Sequence, residues 1–216
     1  MGLLNVVIDL SHHNQVGQTG FHQVKEAGIL GIVHKATQSL HFVDAEYHER
    51  RARALAEGLL WGAYHFASDD DPGAQAHHFL DTVNPESTDL LVLDFEPNST
   101  EGTMTVAQAE VFADVVKQAV GRLPVLYSGQ AFLTSQVTRR RNTTLKDCPL
   151  WIALYPVSAN TLPKVPSPWT DFALWQYTDG NAGPQPHAVP GVGRCDRDKF
   201  NGAVDDLKKL WGIQGP

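Results

Sequence analysis

Short apolar runs recur along the chain, and through residue 130 they alternate with stretches whose apolar side chains return every three or four positions. The runs are Asn5–Asp9, Ile29–Lys35, Leu60–Phe66, Leu90–Glu96, Leu123–Tyr127, Pro149–Tyr155 and Phe172–Tyr177; Arg194–Phe200 is an eighth candidate, a short closing strand or loop. Leu90-Leu-Val-Leu93 shows no alternation, which predicts a strand covered on both faces, as in a parallel sheet. Between the runs lie helix signals. A helical patch, Phe21–Ala27, stops at Gly28. Asp44 caps a helix with Ala45, His48, Ala52, Leu55, Ala56 and Leu59 on one face. Asp71-Pro72 puts a capping acid before a proline at the first helical position and opens a helix through Val83. Thr105 and Gln108 have the spacing of a capping box, and a stripe from Val111 to Ala119 continues to Gly121. Val204–Trp211 makes a terminal helix. Between Pro156 and Trp169 prolines replace any helical period. Strand–helix alternation predicts parallel strands with right-handed crossovers, and eight strand candidates predict closure. The expected fold is therefore α/β: an irregular TIM-like barrel, with crossover helices in the first part and fewer in the last third.

Composition narrows this picture. A length of 216 residues suits one such barrel, which runs about 200–250 residues as a unit, and we expect a single domain over 1–216. With 42% hydrophobic and 19% charged residues, a disordered or coiled-coil chain is excluded. No apolar run approaches the roughly 20 residues needed to cross a bilayer, so no membrane partner is expected. The start, Met-Gly-Leu-Leu-Asn-Val, does not resemble a secretory signal. Cys148 and Cys195 are too few and too far apart for a disulfide scaffold. A formal net charge of −7 offers no footprint for nucleic acid, and the basic run Arg139–Arg141 reads as a solvated turn.

Candidate chemistry centres on Leu90-Leu-Val-Leu-Asp-Phe-Glu-Pro97. On a strand Asp94 and Glu96 share a face and Phe95 points away; Pro97 ends the pairing. Asp9, Asp94, Glu96 and Asp196 all fall at or near predicted carboxyl ends of strands, which a barrel gathers on one face. Carboxylates crowded in a partly dry pocket repel, so one keeps its proton while others stay ionised. Glycoside cleavage needs that division: an acid for the leaving oxygen and a carboxylate for the cationic sugar. A lone Asp in a turn is more often a cap; two same-face acids after an apolar strand are costly unless used. Tyr64, Tyr127, Trp151, Tyr155 and Trp175, also near strand ends, have flat faces and polar tips suited to sugar rings. The ten histidines raise a metal site as an alternative. Neighbours such as His12-His13 point to opposite faces on a strand, and His77-His78 fall on a helix, so no metal or other cofactor is expected. No phosphate loop or nucleophile elbow is present.

Eight motifs stand in order along the chain: Val7-Ile-Asp-Leu-Ser-His-His13, His34-Lys-Ala-Thr37 with Phe42-Val-Asp44, Gly62-Ala-Tyr-His-Phe66, Leu93-Asp-Phe-Glu96, Leu126-Tyr127, Leu150-Trp-Ile-Ala153, Leu174-Trp-Gln-Tyr-Thr178 and Cys195-Asp-Arg-Asp-Lys-Phe200. In this order and spacing they resemble a glycoside hydrolase family 25 lysozyme, the muramidase type of phage endolysins and bacterial wall hydrolases. The resemblance implies an irregular barrel with fewer than eight helices, Glu96 as acid/base, Asp94 as nucleophile or as guide of the substrate's 2-acetamido group, and Asp9 and Asp196 as the remaining pocket acids. Lys35 joins the aromatics as a substrate-binding residue. The implied reaction is metal-free hydrolysis of the β-1,4 bond between N-acetylmuramic acid and N-acetylglucosamine in peptidoglycan glycan strands, by a monomer. A non-catalytic peptidoglycan-binding barrel and a chitin-type N-acetylglucosaminidase are the alternatives. The chain departs from the family pattern at Gln38, where a Glu is usual, and at Asp198, where Asp-x-Asn is usual. No separate wall-binding module is expected. Synthesis in the cytoplasm, then release through a pore or delivery by a secretion machine, would bring the protein to the wall.

Overall fold

The computed structural model describes residues 2–137, 140, 142–158 and 161–214; Arg139 and Arg141 of the basic run lie outside the described residues. In chain order the elements are β1 (Leu3–Leu10), α1 (Gly20–Glu26), β2 (Gly31–Gln38), β3 (Phe42–Val43), α2 (Tyr47–Ala56), β4 (Leu60–Phe66), α3 (Pro72–Val83), β5 (Leu90–Asp94) and α4 (Val106–Val120). They continue with β6 (Val125–Gly129), α5 (Gln130–Val137), a 3-10 turn (Thr144–Asp147), β7 (Leu150–Ala153), β8 (Leu174–Thr178), the pair β9 (Ala188–Val189) and β10 (Gly193–Arg194), β11 (Asp196–Asn201) and α6 (Val204–Leu210).

Eight strands, β1, β2, β4, β5, β6, β7, β8 and β11, close into a barrel because β1 pairs with both β2 and β11. The expected α/β barrel is the observed one. Strands β1 to β8 of the barrel run parallel, whereas β11 is antiparallel to both neighbours. A parallel pair needs a crossover, but an antiparallel strand can return directly; the segment after β8 folds back with the small β9–β10 hairpin instead of a helix. Among the described residues no helix lies between β7 and β8 either, in keeping with the prolines there.

Strand alternation sorts the core into two layers. Val7, Val33, Leu90, Val92, Val125, Trp151, Leu174 and Phe200 point inward, and Trp211 after α6 plugs the lower end with its Nε1 donating to the Trp61 carbonyl at 2.9 Å. Ile8, Ile32, Leu91, Leu93, Leu126, Ile152 and Trp175 point outward against the helices. Burial on both faces explains the unbroken apolar run of β5, and each such side chain contributes about 1.5–3 kcal/mol of transfer free energy. The caps follow their sequence signals: Asp71 accepts from Ala74 N at 2.7 Å, and Thr105 with Gln108 forms the capping box of α4.

Three details differ from expectation. α2 begins at Tyr47, because Asp44 is used twice before the helix: Oδ1 accepts from Glu46 N at 3.0 Å and Oδ2 from His12 N at 2.9 Å, tying the loop after β1 to the loop before α2. α5 is an added helix, unmarked in the sequence because only Leu133 and Val137 of it are buried. β5 stops at Asp94, although Phe95 N still donates to the Tyr127 carbonyl at 2.9 Å before the chain turns at Glu96.

Candidate active site

A cavity of about 240 Å³ opens at the carboxyl end of the parallel strands, floored by Val92 and Trp151. Asp94 and Glu96 enter it from the end of β5, so the same-face geometry persists although the regular strand ends between them. Phe95 points away and packs on Phe132 with ring centroids 5.2 Å apart. Asp9 arrives from the end of β1. Asp196 reaches the same cavity from the start of β11, directly across from Asp9 in the pairing register. It was expected at a strand's carboxyl end; it stands at the amino end of a strand that runs the other way.

Aromatic hydroxyls organise one wall. Tyr127 Oη donates to Gln176 Oε1 at 2.8 Å, Tyr155 Oη donates to the same oxygen, and Gln176 Nε2 passes the bond on to Asp9 Oδ2 at 2.7 Å. Tyr64, Tyr127, Trp151 and Tyr155 all line the cavity. Trp175 does not. It alternates with the inward-facing Gln176, so its ring is buried on the outer side of β8, where Nε1 donates to the Leu154 carbonyl at 2.9 Å and the Lys199 ammonium covers the ring at 4.9 Å. Lys35 sits beside the lining: its ammonium lies 5.1 Å from the centroids of both Phe42 and Phe66 and donates to Gln38 Oε1 at 2.5 Å. Gln38 Nε2 in turn donates to Glu101 Oε2, so a carboxylate from the loop after β5 comes to the place where the sequence lacks one.

Gln176 and Asp179 also line the cavity and had not been singled out. Gln176 was detectable as the residue two before Thr178 on the inward face of β8. Asp179 carried no such signal; its Oδ1 accepts from Asn181 N at 2.8 Å and Ala182 N at 2.6 Å. That turn needs Gly183, whose φ is +87° and whose missing Cβ would lie 2.1 Å from the Tyr177 carbonyl oxygen.

Electrostatics follow from burial among like charges. Burial and then the neighbouring Glu96 push the Asp94 carboxyl well above the usual range, with Lys35 opposing; its Oδ1 is buried and has no hydrogen-bond partner among the described residues. Glu96 is raised by burial, again opposed by Lys35. Asp9 is raised well by burial and by Asp198, and Asp196 is pushed up to about 9 by burial and Asp9. Lys35 is lowered by burial, against the attraction of Asp94. Such a site holds protons on some carboxyls at neutral pH, which is what an acid catalyst requires.

This arrangement of acids can be set against known proteins. Residues 8–185 match the sequence profile of glycosyl hydrolases family 25. The chain belongs to that family. It is 31% identical over 217 residues to lysozyme M1 of Streptomyces globisporus, covering 94% of this chain and 70% of that protein. With the autolytic lysozyme of Clostridium acetobutylicum it shares 30% identity over 191 residues, 87% of this chain; the match spans 54% of that relative's length. The crystal structure of the bacterial lysozyme from Streptomyces coelicolor superposes with a TM-score of 0.83 at 28% identity, covering 98% of both chains. The resemblance read from the motifs, and the barrel it implied, both hold for this member of a glycoside hydrolase family.

Proposed function

We propose that this chain is an N-acetylmuramidase that hydrolyses the β-1,4 bond between N-acetylmuramic acid and N-acetylglucosamine in peptidoglycan, acting as a monomer on the glycan strand. The observation that carries the reading is the pairing of Asp94 and Glu96 in one cavity with Asp9 and Asp196, beneath a wall of tyrosines. The lysozymes named above support the substrate class. Glu96, whose carboxyl is pushed up by burial, gives its proton to the leaving glycosidic oxygen and then takes one from the attacking water. Asp94, with a buried oxygen that has no hydrogen-bond partner among the described residues, is the carboxylate left to support positive charge on the sugar, either directly or through the 2-acetamido group. Tyr64, Tyr127, Trp151 and Tyr155 hold the sugar rings, and the Lys35 charge limits repulsion between the two β5 acids.

The test is digestion of purified sacculi followed by mass spectrometry of the fragments. N-acetylmuramic acid at the new reducing ends supports the reading; N-acetylglucosamine there, or no new ends, sinks it. In the Glu96→Gln variant, release of reducing ends is expected to fall by about 10²–10⁴-fold with the unfolding temperature preserved.

A further inference from the structure

Asp198 is fully buried on β11, two residues beyond Asp196 and on the same inward face. It sits opposite Val7, which makes Asp9 its diagonal neighbour across the antiparallel pair, and the two carboxyls are within hydrogen-bonding reach. Asp198 Oδ1 accepts from Trp151 Nε1 at 2.8 Å, while Oδ2 is buried and finds no donor among the described residues. An ionised carboxylate oxygen in that position is costly unless a donor meets it. No amide, hydroxyl or ammonium does so, which leaves the neighbouring carboxyl as the donor.

We propose that Asp198 is a positioning residue that keeps a proton on Asp9: its Oδ2 accepts the bond from the Asp9 carboxyl, so Asp9 meets the substrate uncharged. The inference rests on the muramidase reading only for its consequence in catalysis. Within the Asp9–Asp198 pair the proton belongs on Asp9, because the Trp151 indole and the Arg197 guanidinium favour charge on Asp198. Asp196, itself pushed up to about 9, faces Asp9 from the paired strand, and their contact lowers Asp9 against the effect of burial and Asp198. Asp94 stands across from β5, and the hydroxyls and thiol around Asp9, Tyr64, Tyr127, Tyr155 and Cys195, carry no positive charge. Gln176 Nε2 already holds Oδ2 of Asp9. Asp198 is raised by Asp196 but, unlike Asp9, also feels the Arg197 guanidinium, which is turned outward to donate to the Ala188 carbonyl at 2.7 Å and to Asn5 Oδ1 at 3.3 Å. Lys35 is committed to Asp94 and Glu96, and Asp179 adds further negative charge near Asp196. Burial raises Asp9 and Asp198 together, and the contact between them raises Asp9 while lowering Asp198. A neutral Asp9 leaves the cavity without a further charge to repel the β5 acids.

The experiment is carboxyl 13C NMR of the substrate-free protein labelled at aspartate Cγ, with the Asp9 signal assigned by its loss in Asp9→Asn. In the parent protein Asp9 is expected to stay protonated through neutral pH. Asp198→Asn is isosteric: its Oδ1 can still accept from Trp151, and its Nδ2 donates to Asp9, so the Asp9 midpoint should fall by about one to two pH units. Trp151→Phe removes a donor from Asp198 and should move the midpoint upward. The alkaline limb of kcat/KM should follow Asp9 downward in Asp198→Asn, a change that a purely structural role would not produce. Asp9 ionised below pH 5 in the parent, or an unmoved midpoint in either folded variant, overturns the proposal. Because the titration is read without substrate, its failure leaves the muramidase reading standing, and failure of sacculus digestion leaves the titration valid.

Discussion

Two buried polar clusters on this barrel are built on opposite terms. Outside the strands, His65 is fully satisfied: its ring is hydrogen-bonded to Thr37 Oγ1 at 2.8 Å through Nδ1 and to Gln75 Oε1 at 3.0 Å through Nε2, between the rings of Phe79 and Phe112. Gln75 Nε2 goes on to donate to the carbonyls of Ser68 at 3.2 Å and Asp70 at 3.0 Å, clamping the loop after β4 to α3. Inside the barrel mouth, Asp9, Asp94, Asp196 and Asp198 are packed together, and among the described residues two of their buried oxygens meet no amide, hydroxyl or ammonium donor. A complete network fixes one conformation; an incomplete one among like charges destabilises the fold and supplies reactivity. The first cluster holds the fold and the second is held by it.

The two also titrate in opposite senses. Burial lowers His65 to about 4 from 6.5, so between those values the unfolded chain binds more protons, and the stability this group contributes is lost as pH falls. Asp196 stands at about 9 against 3.8, so across that window the folded chain binds more protons and stability is lost as pH rises.

The largest expected effect comes from breaking the satisfied network. His65→Ala should cost about 3–5 kcal/mol, through the cavity left and the stranded partners Thr37 and Gln75; chemical denaturation would measure it, and a loss below 1 kcal/mol would mean that the network does not clamp the fold. Next, Asp196→Asn should stabilise the protein by about 1–2 kcal/mol at pH 8 and by much less at pH 4 while lowering activity; equal shifts at both values would remove the claim that Asp196 is strained by its ionisation. The smallest effect sharpens the boundary between the clusters. Trp175→Phe, on the outer face of β8, should leave KM for glycan within about twofold, against a loss of about 1–3 kcal/mol of binding when Tyr127 or Trp151 of the inner face is truncated.

Much of the barrel was legible because its signals are local. The unbroken apolar run of β5, the Asp71-Pro72 start of α3 and the capping box of α4 each act within a few residues. Asp94 and Glu96 were readable for the same reason, since two-residue periodicity puts them on one face whatever the rest of the chain does. Asp9 and Asp196 were readable from their places at or near predicted strand ends, and the family motifs gave them their part in the pocket.

What the sequence by itself determined, then, is the order of the elements, the two-sided burial of the strands and the identity of the central acid pair. Tertiary structure alone decided the direction of β11, which delivers Asp196 to the mouth from a strand's beginning and sets Asp198 diagonal to Asp9. It likewise decided that Gln176 faces the cavity and Trp175 does not, and that Glu101 meets Gln38 from 63 positions away. The reason is physical: which face a strand shows, and which distant residue stands beside it, depends on register and direction, and these are set only when the barrel closes.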